Sequence, residues 1–175
     1  MPAVPFDALP DDARLWVFAT AQPLAGDALA ALLTTVDAFL AGWAAHGAPL
    51  DAGRDWRDGH FLAVAVDQRT AGASGCSIDG LFRSLQALES RLGTSLLAAG
   101  RVYWRDAAGM VQAGDRAAFR RAVAAGALGP TTPVFDTTVT TAGDWRARFE
   151  RPLQESWHAQ VGGLGGAAGL PVAAR

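Results

Sequence analysis

The segment at residues 49–66, PLDAGRDWRDGHFLAVAV, carries a strong β-hairpin signal. Asp58-Gly59 suits a two-residue turn, because both central positions of such a turn adopt left-handed backbone conformations. Apolar and polar residues alternate before this dipeptide, and the run 61–66 after it is wholly apolar. The segment therefore predicts one half-buried strand followed by a strand that is covered on both faces.

Further periodic segments extend the pattern outward from this hairpin. The run RLWVFA has apolar residues in both alternating sets, as expected of another strand covered on both faces. Two amphipathic segments have helical spacing. The predicted elements are a strand at 14–19, a helix capped by Asp27 and closed by His46-Gly47, the two hairpin strands, a helix that begins at Ile78 after the cap residue Ser77, and a strand at 101–106.

This order of strand, helix, strand, strand, helix, strand predicts an α+β fold with a ferredoxin-like split βαβ core. Right-handed crossovers then place strands 14–19 and 61–66 parallel and adjacent at the sheet centre. A helix at 115–125, a strand in TPVFDTTV and a short helix in GDWRARFE form a C-terminal helix and strand extension. The prediction is one domain over residues 1–160 and a disordered Gly/Ala-rich tail over 161–175.

Composition restricts the functional classes. The 175 residues carry a net charge of −2, and all 15 basic residues are arginine, so nothing indicates nucleic acid or an anionic membrane as a partner. One cysteine excludes an internal disulfide and a thiolate metal cage. The N-terminus lacks signal-peptide features, and no apolar run is long enough to span a bilayer. The default prediction is a soluble cytoplasmic protein with no cofactor and no metal.

The octet ASGCSIDG, residues 73–80, contains that single cysteine, Cys76. It joins the end of a predicted central strand to a helix N-terminus, where free backbone N–H groups and the positive helix pole favour anions. Ser77 suits the N-cap and Asp79 the first turn. The predicted ligand-binding residues are Ser74, Gly75, Ser77 and Asp79.

Three specific enzyme motifs are absent from the octet. A Walker-type phosphate loop needs a lysine, and the chain has none. A phosphatase with the Cys-x5-Arg motif needs its arginine one residue before Arg83. A GxSxG nucleophile elbow is also missing.

A thiol-dependent enzyme needs a base near Cys76. The predicted topology places His46 and His60 at the opposite end of the sheet, which leaves His158 in the C-terminal extension as the partner. Asp67 or Asp79 is the candidate orienting carboxylate. The alternative is that Cys76 is only a small buried hydrophobic residue.

Three functions therefore stay open. The leading one is a non-enzymatic module that binds a small anionic ligand at residues 74–79. The second is a thiol-dependent enzyme that uses Cys76 and His158. The third is a structural module that forms a homodimer through an exposed sheet edge near Trp56.

Several motifs together resemble a family of small, uncharacterised bacterial proteins. The matching residues are Pro5-Phe6, Leu9-Pro10, Arg14, Trp16, Trp43, His46-Gly47, Ala65-Val66-Asp67, Ala73 to Asp79 (ASGCSID) and Glu155 to His158 (ESWH). This chain has LAVAVD where the family has a shorter LAVD. Some members carry an automatic label of ABC transporter ATPase, which the lysine-free chain does not support. The resemblance implies the same fold and site but names no reaction.

Overall fold

The structure is a computed structural model that describes residues 4–69, 71–97 and 100–164. It contains helices and antiparallel sheets, which confirms the α+β class. Short 3-10 helices lie at Phe6–Ala8 and Leu153–Glu155. The other elements, in chain order, are β1 (Arg14–Ala19), α1 (Gly26–Ala41), β2 (Ala44–Ala45), β3 (Ala48–Pro49), β4 (Ala52–Arg57), β5 (Phe61–Val66), α2 (Gly75–Leu92), β6 (Arg101–Arg105), β7 (Val111–Asp115), α3 (Arg116–Ala124), β8 (Pro133–Phe135), α4 (Ala142–Arg148), β9 (Glu150–Pro152) and α5 (His158–Gly162).

Tertiary contacts divide the chain into two compact units. The first takes in residues 1–99 and 136–149, and the second takes in 100–135 and 150–175. Each unit has its own apolar core. The single domain expected over residues 1–160 stays a prediction.

The larger sheet of the first unit has the order β1-β5-β4, and both of its strand pairs are antiparallel. All six residues of β5 are 0 % exposed, as the wholly apolar run 61–66 predicts. The predicted adjacency of strands 14–19 and 61–66 is confirmed, but their predicted parallel direction is wrong. The right-handed crossover rule concerns the two strands that α1 joins, β1 and β4. Those two strands run in the same direction, and the turn at Asp58-Gly59 reverses the chain so that β5 fits antiparallel between them.

The ferredoxin-like split core is not confirmed. Its fourth strand was expected at residues 101–106 beside the central strands. That segment does form a strand, β6, but β6 pairs with β7 and β8 in a separate sheet of the second unit. The outer edge of β1 instead contacts the segment before α4, through a hydrogen bond from Leu15 N–H to the Thr140 carbonyl of 2.8 Å.

Helices α1 and α2 contact each other and bury one apolar stripe each against this sheet. The buried residues recur at helical spacing, which is why both segments read as amphipathic. They are Leu32, Val36 and Leu40 on α1 and Leu81, Leu85 and Leu88 on α2. They share one core with Leu62, Val64 and Val66 of β5.

Helix α1 is shorter than the sequence predicts. It ends at Ala41 with Gly42 as its C-cap, and it is not closed by His46-Gly47. The next residues form a second, very short hairpin in which Ala45 pairs with Ala48. His46 and Gly47 are its turn, with φ of 51° and 82°. The His-Gly dipeptide thus signals a left-handed turn, as expected, but the turn belongs to a hairpin.

The second unit contains a sheet with the order β7-β6-β8-β9, whose pairs are all antiparallel. Its core is formed by Val102, Phe119, Leu128, Val134 and Leu153. The predicted helix at 115–125 is confirmed as α3, with Asp115 as N-cap. From residue 165 onward the predicted disordered tail lies outside the described residues, while 161 and 162 belong to α5. In the described part of the chain, no helix is both long and apolar enough to cross a bilayer.

Candidate functional site

Helix α2 begins within the octet, at Gly75, one turn earlier than predicted. Ser74 is the N-cap, and its Oγ accepts a hydrogen bond of 3.3 Å from the backbone N–H of Ser77. The Ser77 hydroxyl donates in return to the Ser74 carbonyl at 2.9 Å. Ser77 was the predicted cap, so that prediction is wrong by three residues. Cys76 consequently lies within the first turn and not just outside it.

The β2–β3 hairpin, residues 44–49, presents the His46 side chain. Its base is closed by a hydrogen bond of 3.0 Å from the Leu50 N–H to the Trp43 carbonyl. His46 itself is exposed at the turn. A left-handed backbone is uncommon for a residue with a Cβ, although histidine adopts it more readily than most.

The hairpin and the first turn of α2 border a wide-open cleft of about 520 Å³. We call it the hairpin–helix cleft. Among the residues that the structure describes, its lining comes from these two elements and the N-cap of the helix. They are Ala44, Ala45 and His46 on one wall and Ser74, Gly75, Cys76 and Ser77 on the other.

His46 therefore lies at the same end of the sheet as Cys76, and the contrary prediction is wrong. The error follows from the direction of β5. Because β5 runs antiparallel to β1, its end lies beside the start of β1. Helix α1 returns the chain from the end of β1 toward that same sheet end, and it delivers the hairpin there.

His60 does lie at the other end of β5, as predicted, but it is not exposed. Only 3 % of its surface is accessible, and its Nδ1 lies 2.9 Å from the Thr20 carbonyl. The imidazole in the cleft is thus that of His46, which the predicted topology had placed elsewhere. The dipeptide His46-Gly47 following Gly42 was the sequence signal that could have indicated this hairpin.

The α2 wall of the cleft is formed by the N-terminus of the helix and its N-cap residue. The first N–H groups of a helix have no intrahelical acceptor, and those of Gly75 and Cys76 belong to this class. A Cβ added to Gly75 would meet no atom within 4 Å, so other protein atoms do not crowd the backbone there. None of the described lining residues carries a carboxylate, and His46 places an imidazole at the cleft.

The two predicted carboxylates do not line the cleft. Asp79 is exposed and lies beyond the first turn of α2. Asp67 is bound by Arg69, whose Nη2 donates at 2.6 Å and whose backbone N–H donates at 2.9 Å. These hydrogen bonds hold the pKa of Asp67 below its usual value. Asp67 is therefore engaged in a local ion pair, and its role as an orienting carboxylate stays a prediction.

His158, the predicted base, belongs to the second unit. It is 0 % exposed, and its Nδ1 lies 2.7 Å from the Ser156 hydroxyl. Its ring stacks on Trp157 with centroids 3.8 Å apart and lies 5.8 Å from the Phe119 ring centroid. Cys76, in contrast, is an exposed free thiol of the first unit. The Cys76–His158 pair would take one residue from each unit, and it stays a prediction.

The last candidate is the sheet edge near Trp56. Trp56 is half-buried and packs against the core of the first unit. The homodimer through the sheet edge near it stays a prediction. Within residues 4–69, 71–97 and 100–164, no three His, Cys, Asp or Glu side chains gather to hold a metal ion.

Comparison of the chain with models of known protein families, with curated proteins and with solved structures gives no match.

Proposed function

We propose that the hairpin–helix cleft binds a small anion that carries a phosphate or carboxylate group. The observation that carries this proposal is the meeting of His46 with the free N–H groups of the first turn of α2 in one concave site. An anion there would accept hydrogen bonds from the backbone, and it would lie at the positive pole of an 18-residue helix.

The cap geometry also supports an anion site. The Ser74 hydroxyl already accepts from the third N–H of the helix, and the Ser74 carbonyl accepts from the fourth, that of Ile78. The donors left for a ligand are the first two, and these belong to Gly75 and Cys76 in the cleft wall. A ligand with two oxygens on one atom, such as phosphate or carboxylate, matches two adjacent donors.

The test is a thermal-shift series with phosphate, sulfate and citrate against chloride at constant ionic strength. A ligand at ten times its Kd stabilises the folded state by about 1.4 kcal/mol, enough for a clear rise in Tm.

The variant His46→Asn provides the sharper comparison, since asparagine tolerates the left-handed turn but carries no charge. We expect it to weaken phosphate binding about three- to tenfold, the size of one lost charge-assisted contact. Arg91→Gln is the matched control, because it removes a positive charge from the opposite end of α2. If no anion raises Tm above chloride, or if Arg91→Gln weakens binding as much as His46→Asn, the proposal is wrong.

A second candidate is thiol chemistry at Cys76, favoured by its exposure and by the imidazole that shares its cleft. A thiolate is the reactive form of cysteine, and a positive helix pole and an imidazolium both stabilise it. His46 would accept the thiol proton, and the thiolate would then displace a leaving group from an electrophilic carbon bound in the cleft, with the leaving group departing with its bonding electron pair and taking the proton from His46 or from water.

Iodoacetamide labelling tests this candidate, because mass spectrometry reads out the single cysteine directly. We expect Cys76 to be alkylated faster than a free thiol at neutral pH, and more slowly in His46→Asn. His158→Gln separates the two possible bases. Slowing in His158→Gln alone, with an unchanged melting temperature, would favour the Cys76–His158 pair instead. A wild-type rate no faster than that of a free thiol would exclude both.

A further inference from the structure

Trp43 occupies the junction between helix α1 and the β2–β3 hairpin without belonging to either element. It is 4 % exposed. Its ring packs against Trp16, with centroids 6.0 Å apart, and against Phe39, with centroids 5.3 Å apart. This aromatic contact accounts for its burial. It does not by itself require an indole rather than a phenyl ring.

The polar contacts of Trp43 reach both walls of the hairpin–helix cleft. Its backbone carbonyl accepts from the Leu50 N–H and so closes the base of the hairpin that carries His46. Its indole Nε1–H donates at 3.1 Å to the carbonyl of Ser77, in the first turn of α2. One residue thus anchors two walls that are more than 30 positions apart in the chain.

We propose that Trp43 is the positioning residue of the cleft and holds His46 and Cys76 at a fixed separation. A buried indole N–H needs an acceptor, so its hydrogen bond to Ser77 is retained as long as the ring stays packed. A two-residue strand pair such as β2–β3 has little stability of its own, and it needs such an anchor to keep a defined place. The phosphate-binding test of this inference rests on the proposed function, and the Cys76 alkylation test does not.

The variant Trp43→Phe tests this role, because it removes the donor and keeps an aromatic ring in the core. Trp145→Phe is the matched control. Trp145 is also buried in the first unit, and its Nε1–H donates at 2.8 Å to Asp55. Trp145 and Asp55 do not line the cleft. Both variants should lower the melting temperature, since each loses one partly buried hydrogen bond.

Only Trp43→Phe should change the cleft. We expect its affinity for inorganic phosphate to fall about tenfold. We also expect its rate of Cys76 alkylation by iodoacetamide to change by about threefold or more. A Trp43→Phe protein with wild-type values for both would overturn the inference, as would equal changes in Trp145→Phe.

The two readouts also separate this inference from the proposed function. If the wild-type protein binds neither phosphate nor any other anion, the proposed function is wrong. The alkylation rates then decide the role of Trp43 alone. An altered rate in Trp43→Phe, and not in Trp145→Phe, would support it; unaltered rates would refute it.

Discussion

Tyr103 is the one tyrosine of the chain, and only 2 % of its surface is exposed. Burial raises the pKa of its phenol, because the charged form loses its hydration, while the nearby Arg101 guanidinium partly opposes this effect. We therefore expect tyrosinate absorbance of the folded protein to appear only at a pH above the ordinary tyrosine pKa of about 10. Arg101→Gln should move this midpoint higher still.

The same pKa shift affects stability in alkaline solution. The phenol of the unfolded chain ionises first as the pH rises, so the free energy of unfolding falls above about pH 10. In Tyr103→Phe the free energy of unfolding should decrease less above that pH, because the variant has no phenol to ionise. Chemical denaturation below and above that pH would measure the difference. Tyrosinate formed at the ordinary pKa while the protein is still folded would contradict the prediction.

Single residues show where sequence patterns succeed and where they fail. Helical spacing predicts Leu81, Leu85 and Leu88 as buried, and they are. Phe82 follows Leu81 on α2 but is 37 % exposed, and its ring contacts Phe18 edge-on. His60 is buried because it meets Thr20, a partner 40 positions away that no local pattern indicates.

At the scale of the element, the β2–β3 hairpin depends on the backbone of its turn. Gly47 has φ of 82°, a conformation that residues with a Cβ rarely adopt. Gly47→Ala should therefore destabilise the protein by about 1 kcal/mol or more. His46→Asn should be neutral or slightly stabilising, since Asn-Gly is a preferred sequence for such turns.

Urea denaturation of both variants would measure these effects. Gly42→Ala is the matched control for Gly47→Ala, because Gly42 has an ordinary negative φ of −105° at the end of α1. It should therefore be tolerated better. Equal destabilisation by the two alanines would show that the left-handed backbone is not what Gly47 provides. A clearly destabilised His46→Asn would show that the imidazole contributes to folding and not only to the cleft.

The elements around this hairpin were mostly predictable. Strands at 14–19 and 61–66, the turn at Asp58-Gly59 and helix α2 all follow from local periodicity and turn chemistry. The β2–β3 hairpin was not predictable in the same way. Its strands have two residues each, too few for an alternating pattern, and Trp43 continues the apolar spacing of α1 beyond the real helix end.

At the scale of the whole molecule, strand direction decided which residues share the site. The sequence indicates that β1 and β5 are neighbours, because both are apolar on each face, but this pattern is the same for parallel and antiparallel pairs. Because β5 was predicted to be parallel to β1, His46 was predicted to lie at the wrong end of the sheet. Half of the hairpin–helix cleft, Ser74 to Ser77, was predicted from local signals, and the other half required the strand direction.

The assignment of the later strands was limited for a similar reason. The segment 101–105 reads correctly as a strand, but its sequence does not reveal which strands it pairs with. Its partners β7 and β8 are short, and both follow it in the chain. The chain also passes between the two units at 99–100, 135–136 and 149–150, so neither unit is one continuous segment.

The complete burial of β5 has one more consequence. FLAVAV is six apolar residues with high β-propensity, the kind of segment that stacks into cross-β aggregates when it is exposed. In this fold β1 and β4 occupy both of its hydrogen-bonding edges, and Asp58 and Asp67 lie just outside its ends as charged flanks. Protection against aggregation is therefore a second task of the two neighbouring strands, besides building the sheet.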